Sequence, residues 1–132
     1  MSTVAIDRAT HVTGIAPQFL VDDLDRAITY YCDQLGFELD FKYASFYAAV
    51  SRNGFAIHLK DAPKLASDRA HRKENEHLDA YISVSGIRAL FSELQRRGAH
   101  VIKPLEERPW ACVDFYVEDP DGYILCFSEQ NA

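Results

Sequence analysis

Two stretches of this chain repeat one pattern. The first runs Leu20-Val-Asp-Asp-Leu-Asp-Arg-Ala-Ile-Thr-Tyr-Tyr-Cys-Asp-Gln-Leu-Gly-Phe, and the second Ile82-Ser-Val-Ser-Gly-Ile-Arg-Ala-Leu-Phe-Ser-Glu-Leu-Gln-Arg-Arg-Gly. Each reads as the end of a strand, a polar cap, an amphipathic helix and a terminating glycine. A chain of 132 residues that carries this unit twice is a single domain over 1–132 made of two tandem βαβββ modules, one at about 12–62 and the other at about 76–130. The fold class is α+β, an eight-stranded mixed sheet cupped around a cleft with helices on its outer face. A cleft between two similar halves is where a small molecule would bind.

The elements follow from local chemistry. Residues 1–12 read as a leader, and Gly14 to Val21 as a short strand whose Pro17 cannot donate to a ladder. Asp22 or Asp23 caps a helix with Leu24, Ala27, Ile28, Tyr31 and Leu35 on one face, and Gly36 ends it. Strands are expected over Phe37 to Tyr43, Phe46 to Arg52 and Phe55 to Lys60, the last two joined at Asn53-Gly54 because both turn positions need positive φ. The polar stretch 61–75 reads as a linker between modules and a candidate lid. In the second module, His77 to Val84 is a strand, Ser85 caps a helix lined by Ile87, Leu90, Phe91 and Leu94, and Gly98 stops it. His100 to Lys103, Ala111 to Val117 and Tyr123 to Ser128 complete the strands, with Asp119-Pro120-Asp121-Gly122 turning the last pair.

Charge and cysteines narrow the function. A net charge of −6 argues against nucleic acid as a partner, because a phosphate backbone asks for a basic face; it suits a cationic small molecule better. Cys32, Cys112 and Cys126 form no CxxC pair and leave one unmatched, which points to a reducing cytoplasm. No apolar run reaches membrane-spanning length, so no membrane partner is expected.

Alternation sorts each strand into two faces. Leu78, Ala80, Ile82 and Val84 form an apolar row, opposite His77, Asp79, Tyr81 and Ser83. Phe55, Ile57 and Leu59 oppose Ala56, His58 and Lys60; Tyr123, Leu125 and Phe127 oppose Ile124, Cys126 and Ser128; Val113, Phe115 and Val117 oppose Cys112, Asp114 and Tyr116. The apolar rows pack under helices and the mixed polar and aromatic rows line the cleft. His58 and Cys126 occupy equivalent places, each four residues after a turn glycine, Gly54 and Gly122.

The segments from Val21 to Tyr31, Leu35-Gly36-Phe37 and Asp119-Pro-Asp-Gly-Tyr-Ile-Leu-Cys-Phe127 resemble the glyoxalase / bleomycin-resistance / extradiol-dioxygenase superfamily, the vicinal oxygen chelate proteins, over roughly residues 12–129. The resemblance implies paired βαβββ modules and a homodimer with two clefts. It also implies four metal-ligand places, held here by Ala16, His58, Asp79 and Cys126. Ala16 cannot coordinate, and a soft thiolate beside a hard carboxylate is a mixed set. The chain is more similar to the metal-free, drug-sequestering branch: Pro17 sits at that branch's early proline, and Glu107-Arg-Pro-Trp110 resembles its Glu-x-Pro-Trp, whose tryptophan lies beside bound drug.

Two functions follow as expectations. In the first, no cofactor is needed: a cationic aromatic antibiotic stacks on Trp110, Phe46 and Tyr81, with His58 and Cys126 lining the cleft and Asp79, Asp114 or Glu107 pairing with its charge, and sequestration confers resistance. In the second, His58, Asp79 and Cys126 hold a divalent metal such as Zn, Ni or Fe, and the protein is a glyoxalase-like lyase or an antibiotic-modifying thiol transferase, with Cys126 as third ligand or as a thiolate activated by His58.

Overall fold

The computed structural model describes Thr10, residues 13–62 and residues 78–131. The leader apart from Thr10, the linker and lid segment beyond Ala62, and His77 lie outside the described residues. The first module runs β1 (Gln18–Val21), α1 (Leu24–Thr29) continued by a π-helical turn (Tyr30–Gln34), β2 (Glu38–Tyr43), β3 (Tyr47–Arg52) and β4 (Phe55–Asp61). The second runs β5 (Ala80–Ser83), α2 (Ile87–Arg96), β6 (Val101–Arg108), β7 (Cys112–Glu118) and β8 (Ile124–Gln130). The eight strands form two four-stranded mixed sheets, ordered β1-β4-β3-β2 and β5-β8-β7-β6. In each, the module's first strand (β1 or β5) lies parallel to its last (β4 or β8) and the remaining pairs are antiparallel. The duplication read from the sequence is therefore a duplication of topology.

Both helices begin with a carboxylate, from different sources. Asp23 accepts from the Arg26 N–H at 3.0 Å, the cap its place before the apolar run predicts. Ser85 does not cap α2. Gly86, at φ 81°, precedes the helix, and Glu129 Oε1 on β8 accepts from the N–H groups of Gly86 and Ile87 at 3.1 and 3.0 Å. The donors left open at a helix start need an acceptor from anywhere in space, which local sequence does not reveal. The π turn widens the end of the first helix so that consecutive Tyr30 and Tyr31 are both buried. Tyr30 donates to the Glu118 carbonyl at 2.9 Å and Tyr31 to Asp119 Oδ2 at 2.8 Å, both across to the second module. The hairpin at Asn53 and Gly54 has φ of 52° and 85°, as that pair predicts.

One apolar core joins the modules. Phe19, Val21, Ile57 and Leu59 of the first sheet belong to the same buried cluster as Phe115, Val117, Leu125 and Phe127 of the second, with Leu24, Ala27, Ile87 and Leu94 from the helices. Ala80, Ile82 and Val84 pack against it, as alternation predicts, whereas Phe55 at the start of its strand is exposed. Phe19 stacks on Tyr123 with centroids 4.2 Å apart, and the Tyr123 hydroxyl meets the backbone of Leu20 at 2.9 Å. Because the apolar faces share this core, each sheet turns its polar face away from it.

Candidate functional site

The polar face of the second sheet is set by register. Asp114 pairs with Ser128, Tyr116 with Cys126, and Tyr81 with Cys126, so these side chains share a face. Pairing of Glu106 with Asp114 and Arg108 with Cys112 places Glu106 and Arg108 there too. Asp114, Cys112, Cys126 and Ser128 are buried and form its floor. Arg108 lies across that floor: its Nε donates to Asp114 Oδ1 at 2.8 Å, and Nη1 is 3.7 Å from Glu106 Oε1. Burial is the largest single effect and works against the guanidinium charge, but the bond to Asp114 together with the charges of Asp114 and Glu106 outweighs it, and the pKa is raised. The guanidinium carbon is 5.9 Å from the centre of the Trp110 ring and 5.8 Å from that of Tyr116, and Lys103 lies over Tyr116 at 5.4 Å. The β6–β7 hairpin turns through Pro109, Trp110 and Ala111, with Ala111 at φ 67°, and lifts Trp110 to its tip, 67% exposed. Tyr81 is also exposed and donates to Ser128 Oγ at 2.8 Å.

The first sheet carries a second aromatic face. Gln18 Nε2 donates to the Tyr47 hydroxyl at 2.9 Å, and that hydroxyl is 2.8 Å from His58 Nδ1. Phe41 stacks with Tyr47 at 6.2 Å and meets His58 edge-on at 6.1 Å, while Lys60 lies over Phe46 at 5.6 Å.

Trp110, Tyr81, Asp114 and Cys126 thus share the second module's face, while His58 and Phe46 belong to the first module's. Register corrects two places inherited from the resemblance. The β1 residue beside His58 is Gln18, and the β5 residue beside Cys126 is Tyr81, each two positions on from Ala16 and Asp79. In the first module the Pro17 carbonyl accepts from His58 N at 2.9 Å, the parallel-ladder bond that sets Gln18 opposite His58. Asp79 Oδ2 accepts from the Ile124 N–H at 2.8 Å, pinning the start of β8. His58, Asp79 and Cys126 are not gathered, and among the described residues no group of three His, Cys, Asp or Glu side chains is placed to hold a metal ion. Nor is Cys126 a poised thiolate: burial first, then Asp114 and Cys112, pushes its pKa up to about 12.

The carboxylates expected to meet a ligand cation have other partners. Asp114 is bound to Arg108 and Asp79 to Ile124, while Glu107 pairs in register with core-facing Val113 and lies 3.7 Å from Arg88 of α2, on the helix side of the sheet. Arg108 is not among the expected site residues, although it sits inside the Glu107-to-Trp110 motif. The strand expected over His100 to Lys103 runs on to Arg108, with two register shifts, so alternation assigns no face to this residue. A cavity of about 890 Å³ lies elsewhere, between the segment before β1 and β4 on one side and β5 and α2 on the other. Ile15, Pro17, Phe55, Ile82 and Leu90 line it, and Tyr81 is the expected site residue that reaches it.

Two βαβββ modules whose sheets share one strand order define the class of fold. The chain belongs to the glyoxalase/bleomycin resistance protein/dioxygenase superfamily, whose family model matches residues 8–127. It is 29% identical to bleomycin resistance proteins of Geobacillus stearothermophilus and Staphylococcus aureus, over 86% of this chain and 94% of theirs. Among solved structures it resembles the bleomycin-binding protein from bleomycin-producing Streptomyces verticillus complexed with copper(II)-bleomycin (TM-score 0.67, 22% identity, 93% of this chain and 98% of that one). A glyoxalase-related enzyme from Clostridium phytofermentans has the same fold (TM-score 0.74, 19% identity, 94% and 99%). Among the described residues no helix is long and apolar enough to cross a membrane.

Proposed function

We propose that this protein binds a planar aromatic antibiotic and confers resistance by sequestration, without turning it over. The observation that carries this reading is Trp110, held 67% exposed at a hairpin tip beside Tyr116 and above a buried polar floor. A large indole left in water is a standing surface for a ring to stack on, and such a contact adds about 0.5–1.5 kcal/mol beyond area burial. Kinship with bleomycin resistance proteins makes bleomycin the first ligand to try. The sequence points to a cationic drug, but with Asp79, Asp114 and Glu107 engaged as described, stacking takes the larger share of the binding.

The same reading includes a homodimer in the cytoplasm. Each chain turns its two aromatic faces away from one shared core, and Phe41, Tyr43, Phe46 and Tyr81 remain exposed, so a second copy would close each open face into a cleft. Three free cysteines accord with a reducing compartment. The test is a titration with bleomycin followed by emission of Trp110, the one tryptophan of the chain, with calorimetry on Trp110→Ala beside it. A saturable change that the variant loses supports the reading; equal affinity in the variant removes it.

A further inference from the structure

We infer that Arg108 selects the ligand, by bonding through Nη2 to an oxygen acceptor, a carboxylate or a carbonyl, at the edge of a ring stacked on Trp110. This rests on the binding function proposed above and adds the chemistry of the ligand to it.

One bond of Arg108 is unmet. Its side chain is only 9% exposed, with Nε on Asp114 and Nη1 near Glu106, yet its Nη2 is buried and has no hydrogen-bond partner among the described residues. A buried donor on a charged group is costly to leave unpaired, so the site favours whatever supplies an acceptor there. A planar guanidinium directs that demand in its own plane. The acceptor therefore belongs on the edge of a flat molecule. Trp110 is exposed on a short turn within 6 Å of the guanidinium, so a ring laid on the indole beside Arg108 would turn its edge toward Nη2.

The charges around the aromatic faces agree. Trp110 and Tyr116 already face the Arg108 cation, Tyr116 also faces Lys103, and Phe46 faces Lys60. A ligand ammonium brought to these rings would meet a like charge, and the carboxylate beneath them is bound to Arg108. The second module's face thus balances Arg108 and Lys103 against Asp114 and Glu106, and its unmet bond asks for an acceptor, although the whole chain carries a net charge of −6.

The test uses three probes with one ring: anthracene-2-carboxylate, anthracene-2-carboxamide and 2-(aminomethyl)anthracene, each titrated against Trp110 emission. The acid and the amide are expected to bind at least about tenfold tighter than the amine. The double variant Arg108→Gln/Asp114→Asn, which leaves no lone buried charge, is expected to erase that preference. Arg108→Lys keeps the charge beside Asp114 without the fork, and is expected to lose the preference for the amide. An amine that binds wild type as tightly as the acid, a preference that survives in the double variant, or an amide preference that survives in Arg108→Lys, overturns the inference. Binding of all three rings without preference removes this inference alone; no response to any ring removes the binding function with it.

Discussion

Arg52 on β3 and Glu93 on α2 meet through two parallel hydrogen bonds, Nη1 to Oε2 at 3.0 Å and Nη2 to Oε1 at 2.8 Å, and so clamp the first module to the second. Arg52 Nη1 also donates to the Leu35 carbonyl at the end of the first helix, and Arg97 Nε adds a bond to Glu93 Oε2 at 2.8 Å. The bond from Arg52, aided by Arg97, lowers the Glu93 pKa to about 2.

Glu93→Gln is expected to lower the unfolding free energy at pH 7 by about 1–3 kcal/mol, read from urea denaturation. A folded pKa below the ordinary 4.5 means this contribution is present above pH 4.5 and is lost as pH falls toward 2. Wild type and variant should therefore converge over that interval. A gap that stays constant down to pH 2 would show that the carboxylate's charge is not what the clamp uses.

Gly36→Ala should also destabilise. Gly36 sits at φ 75°, and a Cβ there would lie 2.5 Å from Arg52 Nη1 and 2.9 Å from Glu93 Oε2, inside the clamp. Left-handed backbone and this crowding together should cost about 1–3 kcal/mol by the same measurement. Gly54 has a similar φ but open space around it, so Gly54→Ala should cost less.

Asp119 has the opposite linkage to pH. Burial raises its pKa from 3.8 to about 6, against the bonds it accepts from Tyr123, Tyr31 and Asp121. A raised pKa gives stability that is full below about pH 4 and lost as pH rises through 6. Relative to Asp119→Asn, wild type should therefore lose about 1–3 kcal/mol between pH 4 and 7, measured by thermal unfolding. A difference independent of pH would refute the assignment.

The thiols report the corrected role of Cys126. Cys112 and Cys126 are 1% exposed, whereas Cys32 is half-buried with its pKa raised by burial. Native protein should show at most one slowly reacting thiol toward a disulfide reagent at pH 7.5, and all three in guanidinium. Rapid native modification that protects on ligand binding would restore Cys126 as a reactive group.

Much of the fold was legible because it depends on short-range chemistry. The Asp23 cap, the Gly36 stop, the Asn53-Gly54 hairpin and the two-fold repetition are all read within a few residues. Strand alternation also assigned the core correctly for Ile57, Leu59, Val113, Phe115, Val117, Leu125 and Phe127. It gave no face to Arg108, because the strand expected to end at Lys103 runs on to Arg108 with two register shifts, and flanking motifs alone did not show that Gln18 rather than Ala16 pairs with His58.

By itself, then, the sequence determined the α+β class, the duplicated module and which residue rows are apolar, since periodicity and turn chemistry are properties of neighbouring residues. Only the tertiary structure decided which polar groups meet. Asp114 finds Arg108, Asp79 finds the Ile124 N–H and Glu129 caps α2, each a contact between separate elements. A hydrogen bond is made within about 3 Å in space and carries no trace of the chain length between its partners. That is why the charge of the binding face could be read only once the sheets were in place.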